Sequence, residues 1–163
     1  MGLVTGILGS CLGVVLVLAG GGTAVAQEDY RYLDGPVAWS VASGPACGGR
    51  VFSSTVTSTE IFPGPGLPPV DNRGTLHVWV CAMFVGVSEN PGVQCSVFAS
   101  LRWRNLATGA SGEVHDLGPV SGSIPPFLGT GASADLDTGS GPVELTLFTD
   151  RSHIPGTNVV EVF

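Results

Sequence analysis

The sequence predicts an all-β protein: an antiparallel β-sandwich, immunoglobulin-like or a small barrel, of about seven strands behind an N-terminal signal peptide. Three observations carry that expectation. Residues 93–106 (VQCSVFASLRWRNL) alternate with a period of two. Val93, Cys95, Val97, Ala99, Leu101 and Trp103 share one face; Gln94, Ser96, Phe98, Ser100, Arg102 and Arg104 share the other, mostly polar one. A helix would spread both classes around its circumference, and beyond residue 26 no stretch keeps helical periodicity for ten residues. Finally, 25 glycines and 12 prolines cut the chain into short segments, and short alternating runs between turn signals are the pattern of a sandwich or barrel.

Residues 1–26 (MGLVTGILGSCLGVVLVLAGGGTAVA) read as the export signal. Val14 to Leu18 form its apolar centre, and Ala24-Val25-Ala26 is a small-x-small cleavage site that would leave Gln27 as the new N-terminus. The segment lacks the usual basic residue ahead of the apolar run. An uncleaved membrane anchor is the alternative, but Gly20, Gly21 and Gly22 weaken a spanning helix. Lipidation is not expected, because Leu18-Ala19-Gly20 is followed by Gly21 and not by Cys; Cys11 lies inside the apolar run and would leave with the signal.

Residues 27–163 then form one domain. A domain of that size buries roughly 68% of the surface its unfolded chain exposes, enough for a core without metals. Residues 37–42 are a short strand candidate. Residues 50–62 (RVFSSTVTSTEIF) are rich in β-branched side chains and read as a strand with a Ser/Thr face. Residues 62–70 (FPGPGLPPV) are a proline-rich loop. Residues 75–87 (TLHVWVCAMFVGV) are apolar on both faces, which predicts a central strand covered on both sides. Residues 88–92 read as a hairpin loop joining that strand to residues 93–106. Residues 107–112 are a turn and 113–117 a short strand. Residues 123–128 (SIPPFL) are a second proline-rich loop. Residues 143–149 (VELTLFT) alternate again, with Val143, Leu145 and Leu147 inward, and residues 158–163 form a terminal strand.

After cleavage Cys47, Cys81 and Cys95 remain, and an exported protein meets an oxidising compartment. If strands 50–62 and 75–87 run antiparallel, Cys47 and Cys95 come to the same end of the sheet. Cys81 lies mid-strand, about four residues out of step with Cys95 across the expected hairpin, which is too far for the Cα separation a disulfide needs. The favoured bridge is therefore Cys47–Cys95, with Cys81 a buried thiol; a β-bulge would instead allow Cys81–Cys95.

The charge balance narrows the partners. Thirteen acids face six bases, giving −7, and every base is Arg. Such a surface repels phosphate backbones and anionic headgroups, so neither nucleic acid nor electrostatic membrane attachment is expected; a membrane would be reached only through an uncleaved signal.

No residue pattern specifies a chemistry. Asp137-Thr138-Gly139-Ser140 matches the D-T-G-S string of aspartic proteases, but 131–135 (GASAD) stands where that family has an apolar strand, and no second string is present. The segment reads as a polar turn. Asp135 and Asp137 at alternate positions resemble the start of a calcium loop, but Ser140 and Thr146 occupy places where an EF-hand needs Gly and Glu. His77, His115 and His153 have no metal-ligand spacing. His77 and Cys81, four residues apart on one strand, are about 13 Å apart and too distant for a nucleophile pair. Gly139-Ser140-Gly141-Pro142 resembles part of the chymotrypsin-like serine string without its acid, and no G-x-S-x-G elbow occurs. Residues 63–69 are a stiff connector or a polyproline ligand. Arg102 and Arg104 form a solvated strand face with nearby acids, or part of a partner surface.

In composition and layout the chain resembles small exported β-sandwich proteins of actinobacteria; that resemblance rests on no motif and carries no functional residues. The function expected is a non-enzymatic cell-envelope or extracellular binding or structural module, with no cofactor or metal and an unidentified envelope or extracellular partner. The alternatives are a small secreted hydrolase assembled from Asp135, Asp137, His115 or His153, and a surface assembly that adds strands at sheet edges.

Overall fold

Eight long strands and three two-residue ones follow one another without a helix among the described residues, which are 30–44, 46–88, 94–122 and 129–163 of a computed structural model. In chain order they are β1 (Tyr30–Val41), β2 (Gly48–Ser58), β3 (Glu60–Ile61), β4 (Val70–Asp71), β5 (Thr75–Val85), β6 (Ser96–Asn105), β7 (Ser111–Ser121), β8 (Ala132–Asp137), β9 (Gly141–Thr149), β10 (His153–Ile154) and β11 (Gly156–Val162). A five-stranded sheet in the order β10-β1-β2-β5-β8 packs on a four-stranded sheet in the order β11-β9-β6-β7, and every pairing is antiparallel. The all-β sandwich expected from the sequence is the architecture found. Residues 1–26, expected to be a signal, and residues 123–128, expected to be a loop, lie outside the described residues.

The alternation read from the sequence sets which residues meet between the sheets. Val97, Ala99 and Leu101 of β6 and Val143, Leu145 and Leu147 of β9 are buried against Leu76, Val78, Val80 and Phe84 of β5. These side chains are the apolar interior that holds the layers together.

Four expectations need correction. Residues 88–92 do not close a hairpin between paired strands: β5 belongs to the five-stranded sheet and β6 to the four-stranded one, so the chain passes from one layer to the other between them; residues 89–92 of that loop, and Val93 after it, lie outside the described residues. Second, β5 is central, between β2 and β8, but among the described residues only one of its faces is covered by another layer. Its outward side chains are half-buried or exposed, because the four-stranded sheet packs on the other face and no helix lies over this one among the described residues. Third, 132–137, read as turn and acidic loop, is strand β8, paired with β5 from Thr75↔Asp137 to Val80↔Ala132. Ala132, Ala134 and Leu136 face inward there, but two of the three are too small to give an apolar signal. Fourth, Cys81 does not stand as a buried thiol: it is half-buried on the outward face of β5 and is not free.

The Ser/Thr face of β2 also turns inward. Ser53, Thr55 and Thr57 are buried, and their hydroxyls donate to the carbonyls of Pro36 (3.1 Å), Leu33 (3.1 Å) and Thr75 (3.4 Å). The first two carbonyls flank a bulge in β1 between Asp34 and Val37, where ladder bonds are lost. The hydroxyls therefore satisfy backbone groups that the bulge would leave bare.

Cys47 and Cys95 are joined, with Cα atoms 6.0 Å apart. The pairing is the expected one, although it comes about differently: Cys47 precedes β2 and Cys95 precedes β6, so the bridge ties one sheet to the other.

Candidate functional site

The outward face of the five-stranded sheet is where side chains with chemistry to offer are brought together. Register places Tyr32, Val56, His77 and Asp135 in one row across β1, β2, β5 and β8. The next row is Asp34, Ser54, Trp79 and Ser133. Farther along, Ile154, Trp39, Arg50 and Met83 lie side by side on β10, β1, β2 and β5. Much of this face is apolar and open: Tyr32 is 73% exposed, Trp39 59% and Trp79 37%. Large exposed apolar areas on a soluble domain mark contact surfaces more often than accidents.

At one end the face deepens into a pocket of about 380 Å³, within the size range of small-ligand sites. Tyr30, Val56, Ser58, Thr75, His77, Trp79 and Asp135 line it from the sheet, and Ile61 and Asn72 line it from the β3–β4 hairpin. That hairpin carries the proline-rich loop 62–70 at its tip. It is held at its base by Asn72, whose amide nitrogen donates to the Thr59 carbonyl (2.9 Å) and whose side-chain amide donates to Ser58 Oγ (3.0 Å).

Within the pocket His77 Nδ1 is hydrogen-bonded to Asp135 Oδ1. With the carboxylate accepting, the neutral imidazole carries its proton on Nδ1, and Nε2 keeps a lone pair. The His77 ring also meets Trp79 edge-on, centroids 4.0 Å apart. Tyr30 and Tyr32 stack edge to face at 5.2 Å. Partial burial, then the neighbouring Tyr32 phenol, pushes the Tyr30 hydroxyl above the usual tyrosine range, so it stays a neutral donor at physiological pH.

The other sequence candidates go elsewhere. His115 on β7 lies 3.5 Å from Glu113, and His153 on β10 has Nδ1 2.6 Å from the Arg151 carbonyl. The three histidines sit on separate strands, and among the described residues no three His, Cys, Asp or Glu side chains are grouped to hold a metal ion. Asp135 and Asp137 lie on an extended strand, not in an ion-binding loop. The Asp137-Thr138-Gly139-Ser140 string is the connection from β8 to β9. Thr138 is buried, with its hydroxyl donating to the Gly74 carbonyl (3.2 Å), and Gly139 adopts φ +72°. Arg102 pairs with Glu113 at 3.2 Å and lies over the Phe148 ring, as a solvated face requires.

Sequence reading missed three features. The pairing of His77 with Asp135 depends on the β5–β8 register, and β8 was hidden by its alanines. The period-two alternation of Ala132, Ala134 and Leu136 against Ser133, Asp135 and Asp137 was the signal available. Tyr30 and Trp79 as pocket walls had no local signal. Neither did Asn105, which is fully buried and clamps the β8–β9 turn.

No family model, curated protein or solved structure matches the chain.

Proposed function

We propose that the chain is an exported, non-enzymatic binding module of the cell envelope or extracellular space, and that its ligand seats on the outward face of the five-stranded sheet. The observation that carries this reading is that open face, with Trp39, Trp79, Tyr30 and Tyr32 set among Asp135, His77, Asn72 and Ser58. Aromatic anchors beside convergent polar groups are what a recognition site needs. Export is supported by the signal-like residues 1–26 and by the Cys47–Cys95 disulfide, which fits an oxidising compartment. No helix among the described residues is long and apolar enough to cross a membrane.

Two measurements test this. Intact-mass analysis of protein recovered from culture medium is expected to give a chain beginning at Gln27. Recovery only from detergent-extracted membranes, with residues 1–26 attached, would overturn export. Retention on envelopes of the producing cells is expected to fall at least roughly tenfold in Trp79→Ala, the size typical of losing an aromatic anchor. Equal retention of Trp79→Ala and the parent would remove this face from the function.

A hydrolase is the second reading, favoured by His77 and Asp135 hydrogen-bonded in a pocket that also holds Ser58. Of Asp135, Asp137, His115 and His153, only Asp135 lines the pocket. The Ser58 hydroxyl accepts from Asn72, and no hydrogen bond joins it to His77 among the described residues, whereas a nucleophilic site needs that link. Ester or glycoside turnover abolished by His77→Ala would favour this reading over the first.

A further inference from the structure

We propose that the ligand is a neutral polysaccharide, with one sugar ring seated in the pocket against Trp79 and Tyr30 and the chain continuing across the sheet face toward Trp39. This rests on the binding-module reading above and names the chemistry of its ligand.

The pocket combines two kinds of surface that few ligands satisfy together. Trp79 and Tyr30 offer flat apolar area, which suits the C–H face of a pyranose. Asp135, His77 and Asn72 offer hydrogen-bonding groups in the same cavity. With Nδ1 facing Asp135, His77 offers Nε2 as acceptor or donor according to its tautomer; the carboxylate accepts through its remaining lone pairs, and the Tyr30 phenol donates. A ring of hydroxyls can both donate and accept, so it meets all of these at once. An apolar helix or acyl chain docked here would cover the solvated lone pairs of Asp135 that His77 does not reach and leave them without a partner, at the cost of their desolvation.

Charge argues for neutrality. The chain carries −7 and has no lysine, and the pocket itself holds a carboxylate. Phosphorylated or uronic-acid polymers would meet repulsion at the point of tightest contact. The layout argues for a chain over a single sugar. Trp79 on β5 and Trp39 on β1 are separated by two strand spacings and four residues of rise, about 16 Å. Both rings are open to solvent on the same face, which provides a second stacking platform several sugar rings from the first.

The test uses the full secreted chain on wall polysaccharide from the producing cells, stripped of protein with protease and of lipid with solvent. Retention on this material is expected, with competition by its neutral oligosaccharide fragments from partial acid hydrolysis. Trp79→Ala and Asp135→Asn are each expected to weaken retention at least roughly tenfold, as removal of an anchor does. Both positions are at the surface, and the circular dichroism of each variant should match the parent. Trp79→Phe keeps a stacking ring and should retain more binding than Trp79→Ala. If Trp79-dependent retention on whole envelopes disappears with protease or with solvent, the ligand is a protein or a lipid: the glycan proposal is overturned while the binding module stands. Competition by acidic fragments alone overturns neutrality. Absence of Trp79-dependent retention on every material overturns both readings.

Discussion

Replacing Asn105 with Ala is expected to lower unfolding stability by about 3 kcal/mol or more, a large share of what a domain this size possesses. Asn105 ends β6 and is fully buried. Its side-chain nitrogen donates to the carbonyls of Thr138 (3.0 Å), Gly139 (3.2 Å) and Ser140 (3.0 Å). Its side-chain oxygen accepts from the backbone nitrogens of Ala107 (2.9 Å) and Thr108 (3.0 Å). One amide therefore organises two turns, the β6–β7 turn within the four-stranded sheet and the β8–β9 connection that enters it from the five-stranded sheet. Truncation strips partners from five backbone groups at once, and each buried group left bare costs on the order of 1–3 kcal/mol, less where water can enter. Asn105→Asp is a sharper test. It keeps the shape and the two acceptor bonds but turns a carboxylate oxygen toward three carbonyls, so it should destabilise by a comparable amount near neutral pH. Urea denaturation measures both. A loss below about 1 kcal/mol for Asn105→Ala would mean that the turns hold themselves.

Removing the inter-sheet bridge with the double substitution Cys47→Ala and Cys95→Ala is expected to cost about 4 kcal/mol, given a sequence separation of 48 between the two cysteines. In the chain-entropy account the unfolded chain regains the freedom that the closed loop denies it, and the native contacts change little. The melting temperature should fall by roughly 12–16 °C in a domain this size. Because the cysteines precede β2 and β6, the loss should be felt where the two sheets meet at that end. Unchanged circular dichroism at low temperature together with a lowered midpoint is the expected pair of results. An unaltered midpoint would show that packing between the sheets, and not the bridge, sets stability there.

The strands with large alternating side chains were legible. In β6 and β9 the inward positions Val97, Ala99, Leu101, Val143, Leu145 and Leu147 are the ones alternation assigns to the core. Strand β8 was not, because Ala132 and Ala134 are too weakly apolar to stand out beside Asp135 and Asp137. The direction of the Ser/Thr face of β2 was hidden too, since it depends on carbonyls freed by a bulge in a neighbouring strand. The Cys47–Cys95 bridge followed from both cysteines lying at one end of the β2–β5 pair. The two cysteines meet although β5 and β6 are not partners, because a crossing between layers and a hairpin both return the chain to the same end.

The amino-acid order alone determined that the chain is built of strands and which side of most of them is apolar; it favoured Cys47–Cys95 and left Cys81–Cys95 open, and the structure decided between them. The strands and their apolar sides follow from a two-residue period, a local property. Tertiary structure decided which strands share a sheet, that no second layer packs on the outward face of β5 among the described residues, and that His77 meets Asp135 beside Trp79. Pairing and layering depend on where the whole chain crosses from one sheet to the other. A segment's own pattern is the same whether its neighbour lies beside it or across the core, so no local window contains that information.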